Sequence, residues 1–297
     1  MKNNKKDCAE VVYFKAKINE KKELWSDFEM LLGEITDYYT LAGKEDFLKG
    51  LKDMSHAMSD YLQYQSRKFK FKISRYRKEL KFSLDNLFCE KAYIHPPTNI
   101  LSVDRNTQYQ FVVFNYNTIV YDIINRIRIK ERIRNHNRIT DNINSDKKLI
   151  HCDMTAGFVL GVNDPSKIKN IQFRTDTDIG NALIKRNQRN IMFESKDIAD
   201  YINDSNVVYV YGMSIGDTDK HYWEQIIKWV EENDDRKIVL SYYDANITGI
   251  DLMEIHRARA MIENKLVRLG LSVANISRVA VVINPKIFQF SKKAKKR

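Results

Sequence analysis

Six short apolar runs constrain what this chain can fold into more than any other feature of its sequence. Stretches with helical patterning lie between several of them, at residues 197–203, 220–232 and 252–269. Apolar runs that alternate with helices predict an α/β fold, a mainly parallel sheet with helices on both faces. The runs span residues 109–114, 148–151, 157–162, Val207–Tyr211, Lys237–Tyr242 and Val279–Ile283.

The first hundred residues follow a different pattern, which predicts a helical region. From about residue 20 to about residue 90, apolar residues recur at helical spacing. His95 precedes two prolines, and a residue before proline is pushed out of the helical conformation. We therefore predict a basic helical region at residues 1–100, an α/β core at 101–290 and a basic tail at 291–297. The predicted apolar faces hold Leu24, Phe28, Leu31 and Leu32, and then Phe47, Leu51, Met54, Met58, Tyr61 and Leu62.

The chain is basic, with a net charge of +11 over 297 residues. Two clusters, at residues 67–81 and 126–134, and the tail at 292–297 carry much of this charge. Basic and aromatic residues alternate in the first cluster, so it can follow a nucleic-acid backbone or form the solvated face of a helix. For the tail, solubility is the expected role. If nucleic acid binds the first cluster, the contacts are expected from Arg67, Lys68, Arg75, Arg77 and Lys78.

Composition predicts a cytoplasmic protein. No apolar stretch approaches the roughly 20 residues of a membrane span, and the first seven residues have no apolar segment after their charges. Cys8, Cys89 and Cys152 lie far apart, which suggests neither a disulfide framework nor a close-spaced zinc motif. We expect reduced thiols and no bound metal.

The run Val207–Tyr211 breaks into a small, polar turn and then a helix, which predicts a ligand site at the end of a strand. Gly212 and Gly216 permit unusual backbone angles, and Asp217 or Thr218 can cap the helix. In open α/β sheets, ligands bind outside such strand ends, near helix N-termini. Two alternatives remain. The first is a plain structural turn. The second is a metal bound by paired carboxylates, although an Asp at the start of a helix also complements the helix dipole.

Two other predicted strands also end in polar groups. Asn115, Asn117 and Thr118 follow the first run, where amides can orient a water or hold a ribose hydroxyl, or can serve as local caps. His151 ends the second run and can act as a general base near neutral pH, although a lone histidine is more often structural. The adjacent Cys152 suggests a thiol nucleophile, but no elbow motif or orienting acid accompanies it.

Taken in order, these segments resemble the AbiH family of bacterial abortive-infection proteins. The resemblance rests on Phe-Asn-Tyr-Asn-Thr at 114–118, Ile-His at 150–151, Val-Leu-Gly-Val-Asn at 159–163 and Tyr-Gly-Met-Ser-Ile-Gly-Asp-Thr-Asp at 211–219. Trp-Ser-Asp-Phe-Glu at 25–29 is similar to another motif of the family. The resemblance implies a sirtuin-like, Rossmann-type core, a role in defence against phage, and NAD or a related nucleotide as substrate.

The sequence departs from the family pattern at two places. The usual Gly-Asn-Gly-Phe-Asp turn is missing, since residues 1–24 contain no glycine. Either the usual start lies upstream of this chain, or the cofactor loop has been lost or replaced. The usual Ile-His-Gly reads Ile-His-Cys, so Cys152 places a side chain where close backbone approach is expected.

The resemblance also implies a mechanism, that of an NAD hydrolase. Asn115 would orient a water beneath the anomeric carbon of the nicotinamide ribose, and His151 would accept a proton as nicotinamide leaves. The residues that would hold the nucleotide are Asn117, Thr118, Gly212, Ser214 and Asp219. The alternative is a non-enzymatic protein that senses a phage component or binds nucleic acid or a partner protein through its basic helical region. A homo-oligomer and an inactive, truncated chain are also compatible with the sequence.

Overall fold

The computed structural model describes residues 28–70, 79, 83, 109–114, 143–149, 152–153, 157–192, 198–216, 219–247, 252–285 and 287. The α-helices among them are α1 (Phe28–Ile35), α2 (Lys44–Lys70), α3 (Ile171–Thr175), α4 (Thr177–Leu183), α5 (Lys185–Met192), α6 (Ala199–Ile202), α7 (Lys220–Glu231) and α8 (Leu252–Arg268). The strands are β1 (Tyr109–Val113), β2 (Ile143–Leu149), β3 (Cys152–Asp153), β4 (Gly157–Phe158), β5 (Val207–Tyr211), β6 (Lys237–Tyr242) and β7 (Val279–Ile283). The protein is thus mixed helix and strand.

The chain divides into two compact units. Of the described residues, the first unit holds 28–68, 114, 149, 152–153 and 157–192, and the second holds 69–70, 79, 83, 109–113, 143–148 and those from 198 onward. No helix in these described ranges is both long enough and apolar enough to cross a membrane.

The core of the first unit forms where α1 and α2 pack against residues 160–184. Phe47 lies at its centre, with its ring centroid 5.2 Å from that of Tyr39 and 5.4 Å from that of Phe173. The predicted helical faces are confirmed at Leu31, Leu32, Phe47, Leu51 and Met54, which are buried, whereas Tyr61 is 60% exposed. The other buried core residues are Ile35, Leu160, Val162, Ile168, Phe173, Ile179, Leu183 and Ile184.

The predicted strand at 157–162 is wrong beyond Phe158. β4 ends there, pairing antiparallel with β3, and Val162 makes one isolated parallel bridge to Ile184. The side chain of Gln188 explains the difference: its Nε2 donates to the Leu160 carbonyl at 2.6 Å, and its Oε1 accepts from the Leu160 amide at 3.3 Å. These are the backbone groups that a strand neighbour would otherwise bond.

The second unit contains a parallel sheet in the order β5-β6-β7. The three predicted strands are confirmed residue for residue. α7 connects β5 to β6 and α8 connects β6 to β7, close to their predicted bounds. In β6, Ile238, Val239 and Leu240 are all buried, as expected for a parallel strand covered on both faces.

The other predicted elements differ in extent. α6 spans Ala199–Ile202 within the predicted helix at 197–203. β2 begins at Ile143, upstream of the predicted run at 148–151, and pairs with β1 in a separate two-stranded sheet. Its residues are mostly polar, so hydrophobic patterning did not reveal them.

Candidate functional site

The carboxyl ends of β5, β6 and β7 lie side by side. Tyr211 pairs with Ser241, and Tyr242 pairs with Ile283, so the three strands end almost level with one another. We call the groups that follow these ends the carboxyl edge: residues 212–216 with Asp219 after β5, residues 243–247 after β6, and Asn284 after β7. In parallel α/β sheets this is the edge at which ligands bind.

Gly212 gives the turn after β5 a conformation that other residues rarely adopt. Its φ is +69°, and among the described residues no atom lies within 4 Å of the position that a β-carbon would occupy. Within this part of the chain, the space beside the strand end is therefore open. Gly216 does not use the same freedom, because its φ is not positive.

Ser214 organises the turn through both its side chain and its backbone. Its hydroxyl donates to the carboxylate of Asp219 at 2.6 Å. Its carbonyl accepts from the indole N–H of Trp223 at 2.7 Å, and Trp223 is fully buried in α7. The turn is thus tied to the core of the second unit.

Asp219 occupies the N-cap position of α7, which begins at Lys220. The cap was predicted at Asp217 or Thr218, which lie outside the described residues. The Asp219 carboxylate makes no side-chain cap hydrogen bond; it accepts from Ser214 instead. A partly exposed carboxylate beside a hydroxyl can accept hydrogen bonds from the hydroxyls of a sugar.

Sequence reasoning missed Asn284, which connects the ends of β7 and β6. Its φ is +49°. Its Oδ1 accepts from the Asp244 amide at 2.8 Å, and its Nδ2 donates to the carbonyls of Asp244 and Ile247 at 2.7 Å each. Asp244 in turn accepts from the Asn246 amide at 2.9 Å. The sequence signals were an asparagine directly before Pro285 and the Asp-Ala-Asn segment after β6.

Two tyrosines stand at the same edge. Tyr243, which follows β6, is 77% exposed. Tyr211 is 46% exposed, and its hydroxyl donates to the Ile287 carbonyl at 3.3 Å. Partial burial raises the pKa of Tyr211, and the negative charge of Glu79 adds to the effect.

The described residues bring together three of the predicted site residues: Gly212, Ser214 and Asp219. The other four, Asn115, Asn117, Thr118 and His151, lie outside the described residues, and their roles remain predictions. No group of three or more His, Cys, Asp or Glu residues within the described ranges could hold a metal ion.

Of the predicted nucleic-acid contacts, Arg67 lies exposed in α2. Lys68 belongs to the same helix. Arg75, Arg77 and Lys78 lie outside the described residues.

A family model described as bacteriophage abortive infection AbiH matches residues 1–242. No curated protein and no solved structure matches the chain.

Proposed function

The chain belongs to the AbiH family of bacteriophage abortive-infection proteins, and we propose that it acts in this defence by consuming NAD or a related nucleotide. The proposed site is the carboxyl edge of the parallel sheet, within a Rossmann-like core. Loss of NAD would starve the infected cell and the phage with it.

One observation carries this proposal: the hydrogen-bonded pair of Ser214 and Asp219 lies in the segment that begins at Gly212, which has no side chain. The pair sits at the end of a parallel strand and the start of a twelve-residue helix, and Gly212 has no side chain to block the approach. In dinucleotide-binding folds, an acidic residue commonly accepts hydrogen bonds from a ribose.

The charge of Asp219 decides which part of a nucleotide it suits. A carboxylate repels phosphate but accepts hydrogen bonds from hydroxyls, so Asp219 fits a ribose rather than a phosphate. The Ser214 hydroxyl already donates one bond to this carboxylate, which holds its orientation. The phosphates are then expected along the open backbone at Gly212, away from the carboxylate.

The chemistry would come from Asn115 and His151. In the proposed hydrolysis, the C–N bond to nicotinamide breaks, water adds to the anomeric carbon of the ribose, and ADP-ribose and nicotinamide result. Asn115 orients the water, and His151 accepts a proton. Asn117 and Thr118 would help to hold the nucleotide. Such a transition state requires mainly positioning and exclusion of solvent.

The test follows NAD over time in bacteria that express this chain, with and without phage. We expect NAD to fall upon infection, and Asn115→Ala, His151→Ala and Asp219→Asn to abolish both the fall and the protection. Asp60→Asn is the matched control, because it changes an exposed aspartate in α2. Full activity in the Asn115 and His151 variants would refute the catalytic assignment.

A second candidate function is binding of nucleic acid, or sensing of a phage component, by the basic helical region. The exposed Arg67 and the cationic run that follows it favour this candidate. Steady NAD with intact protection would support it. Affinity for nucleic acid should then fall steeply with rising salt, and should be lost when Arg75, Arg77 and Lys78 are reversed in charge.

A further inference from the structure

We propose that Tyr243 recognises the base of the bound nucleotide by stacking on it. This inference rests on the proposed function and specifies which part of the substrate the β6 end contacts. Tyr243 follows the central strand of the parallel sheet and is 77% exposed. An aromatic face of this kind, left in solvent at a ligand-binding edge, is suited to a nucleobase.

The register places Tyr243 within reach of a nucleotide held at β5. Tyr211 pairs with Ser241, so Tyr243 lies two residues beyond Ser241 and one residue past the end of the neighbouring strand. Neighbouring strands are about 4.8 Å apart, and two residues along a strand span about 6.6 Å. A nucleotide held in the turn after β5, with its ribose against Asp219 at the start of α7, can therefore place its base over the end of β6.

The backbone that carries Tyr243 is held in place before any ligand arrives. Asn284 accepts from the amide of Asp244 and donates to its carbonyl, which fixes the residue next to Tyr243. The second Nδ2 donor of Asn284 is used by Ile247. Since both donors are occupied, Asn284 is a positioning residue. A preorganised aromatic residue loses less conformational entropy when a ligand binds.

The test compares AMP, which carries a base, with ribose 5-phosphate, which has the same sugar phosphate without one. Binding of each to the purified full chain is measured by calorimetry for wild type, Tyr243→Ala and Tyr243→Phe. Tyr243→Ala should weaken the binding of AMP about tenfold, because the base loses the aromatic ring on which it stacks. It should leave the binding of ribose 5-phosphate unchanged. Tyr243→Phe keeps the ring and should bind AMP as wild type does.

Two further variants make the test specific. Tyr61→Ala removes another tyrosine, 60% exposed on α2, and should change nothing. Asn284→Gly tolerates the positive φ but removes the side chain that holds residues 244–247. It should weaken the binding of AMP and leave the binding of ribose 5-phosphate unchanged, because residues 244–247 become mobile while the turn after β5 stays intact.

The outcomes separate this inference from the function on which it rests. If wild type binds neither AMP nor NAD, the proposed function is refuted and this inference with it. If wild type binds AMP and Tyr243→Ala binds it equally well, the assignment of Tyr243 alone is refuted. If Tyr243→Ala weakens the binding of AMP and of ribose 5-phosphate equally, the assignment is also refuted, because Tyr243 would then act on the sugar-phosphate site.

Discussion

Replacing Gly161 by alanine tests how closely the backbone packs in the first unit. A β-carbon at Gly161 would lie 1.9 Å from the carbonyl oxygen of Leu183 and 2.8 Å from its carbonyl carbon. Because real β-carbons essentially never approach other atoms within 3.0 Å, the two backbone segments must separate by about 1 Å. Neither atom belongs to a flexible side chain that could move aside.

The cost of Gly161→Ala follows from the bonds at this contact. The Leu183 carbonyl accepts from the Val162 amide at 2.8 Å. Losing that bond costs about 1 kcal/mol, and overpacking a core costs about 1–3 kcal/mol. We therefore expect the free energy of unfolding to fall by about 2–4 kcal/mol.

Gly180→Ala is the matched control in the same unit. At Gly180, the nearest atoms to a new β-carbon are the ends of two side chains, at 3.6 and 3.7 Å. Gly180 lies inside α4, where alanine is more favourable than glycine by about 0.5–1 kcal/mol. This variant should be as stable as wild type or more so.

The assay is urea unfolding followed by circular dichroism. Gly161→Ala should lower the urea concentration at the unfolding midpoint without changing how steeply the free energy of unfolding depends on urea. Gly180→Ala should keep or raise the midpoint. Equal midpoints for wild type and Gly161→Ala would refute the reasoning, since the Leu183 carbonyl would then have to yield at no cost.

Two further predictions concern ion pairs of the first unit. Lys185 is fully buried and pairs with Glu29. Glu29→Leu should therefore lower the free energy of unfolding by about 3–5 kcal/mol, and adding Lys185→Met should recover much of that loss. Additive losses in a double-mutant cycle, measured by urea unfolding, would contradict this. The Ile179 amide, followed by the Lys44 ammonium, lowers the pKa of Asp176. The pKa of Asp176 is thus lower in the folded protein than in the unfolded chain. The ionised carboxylate therefore stabilises the fold at pH values above the unfolded-state pKa, and this stabilisation is lost as the pH falls through the folded-state pKa. Asp176→Asn should therefore lower the melting temperature at neutral pH, and the difference from wild type should disappear in acid. A difference in melting temperature that does not change with pH would contradict the assignment.

The sequence predicted best where burial was uniform. β5, β6 and β7 are short apolar runs, and in β6 burial on both faces explains why apolar residues do not alternate with polar ones. The predicted ends of these strands directed attention to Ser214 and Asp219, which the structure brings together. The family was also recognisable from the order of short motifs, and the match over residues 1–242 confirms it.

Prediction failed where a distant side chain competes for the backbone. Residues 159–162 have the composition of a strand, but Gln188, 28 residues beyond Leu160, takes the hydrogen bonds of that residue. The link between Asn284 and Asp244 spans 40 residues. Neither pairing leaves a periodic signal, because each depends on a single polar side chain.

The sequence by itself determined the mixture of helices and strands, the three parallel strands and the turn that follows β5, because these depend on local patterns of apolar residues, glycine and helix formers. The tertiary structure decided how the carboxyl edge is held. It joins the ends of β6 and β7 through Asn284, whose side chain accepts from the Asp244 amide 40 residues away. The physical reason is that hydrogen bonds between residues far apart in the chain form only after the sheet has brought their strands together.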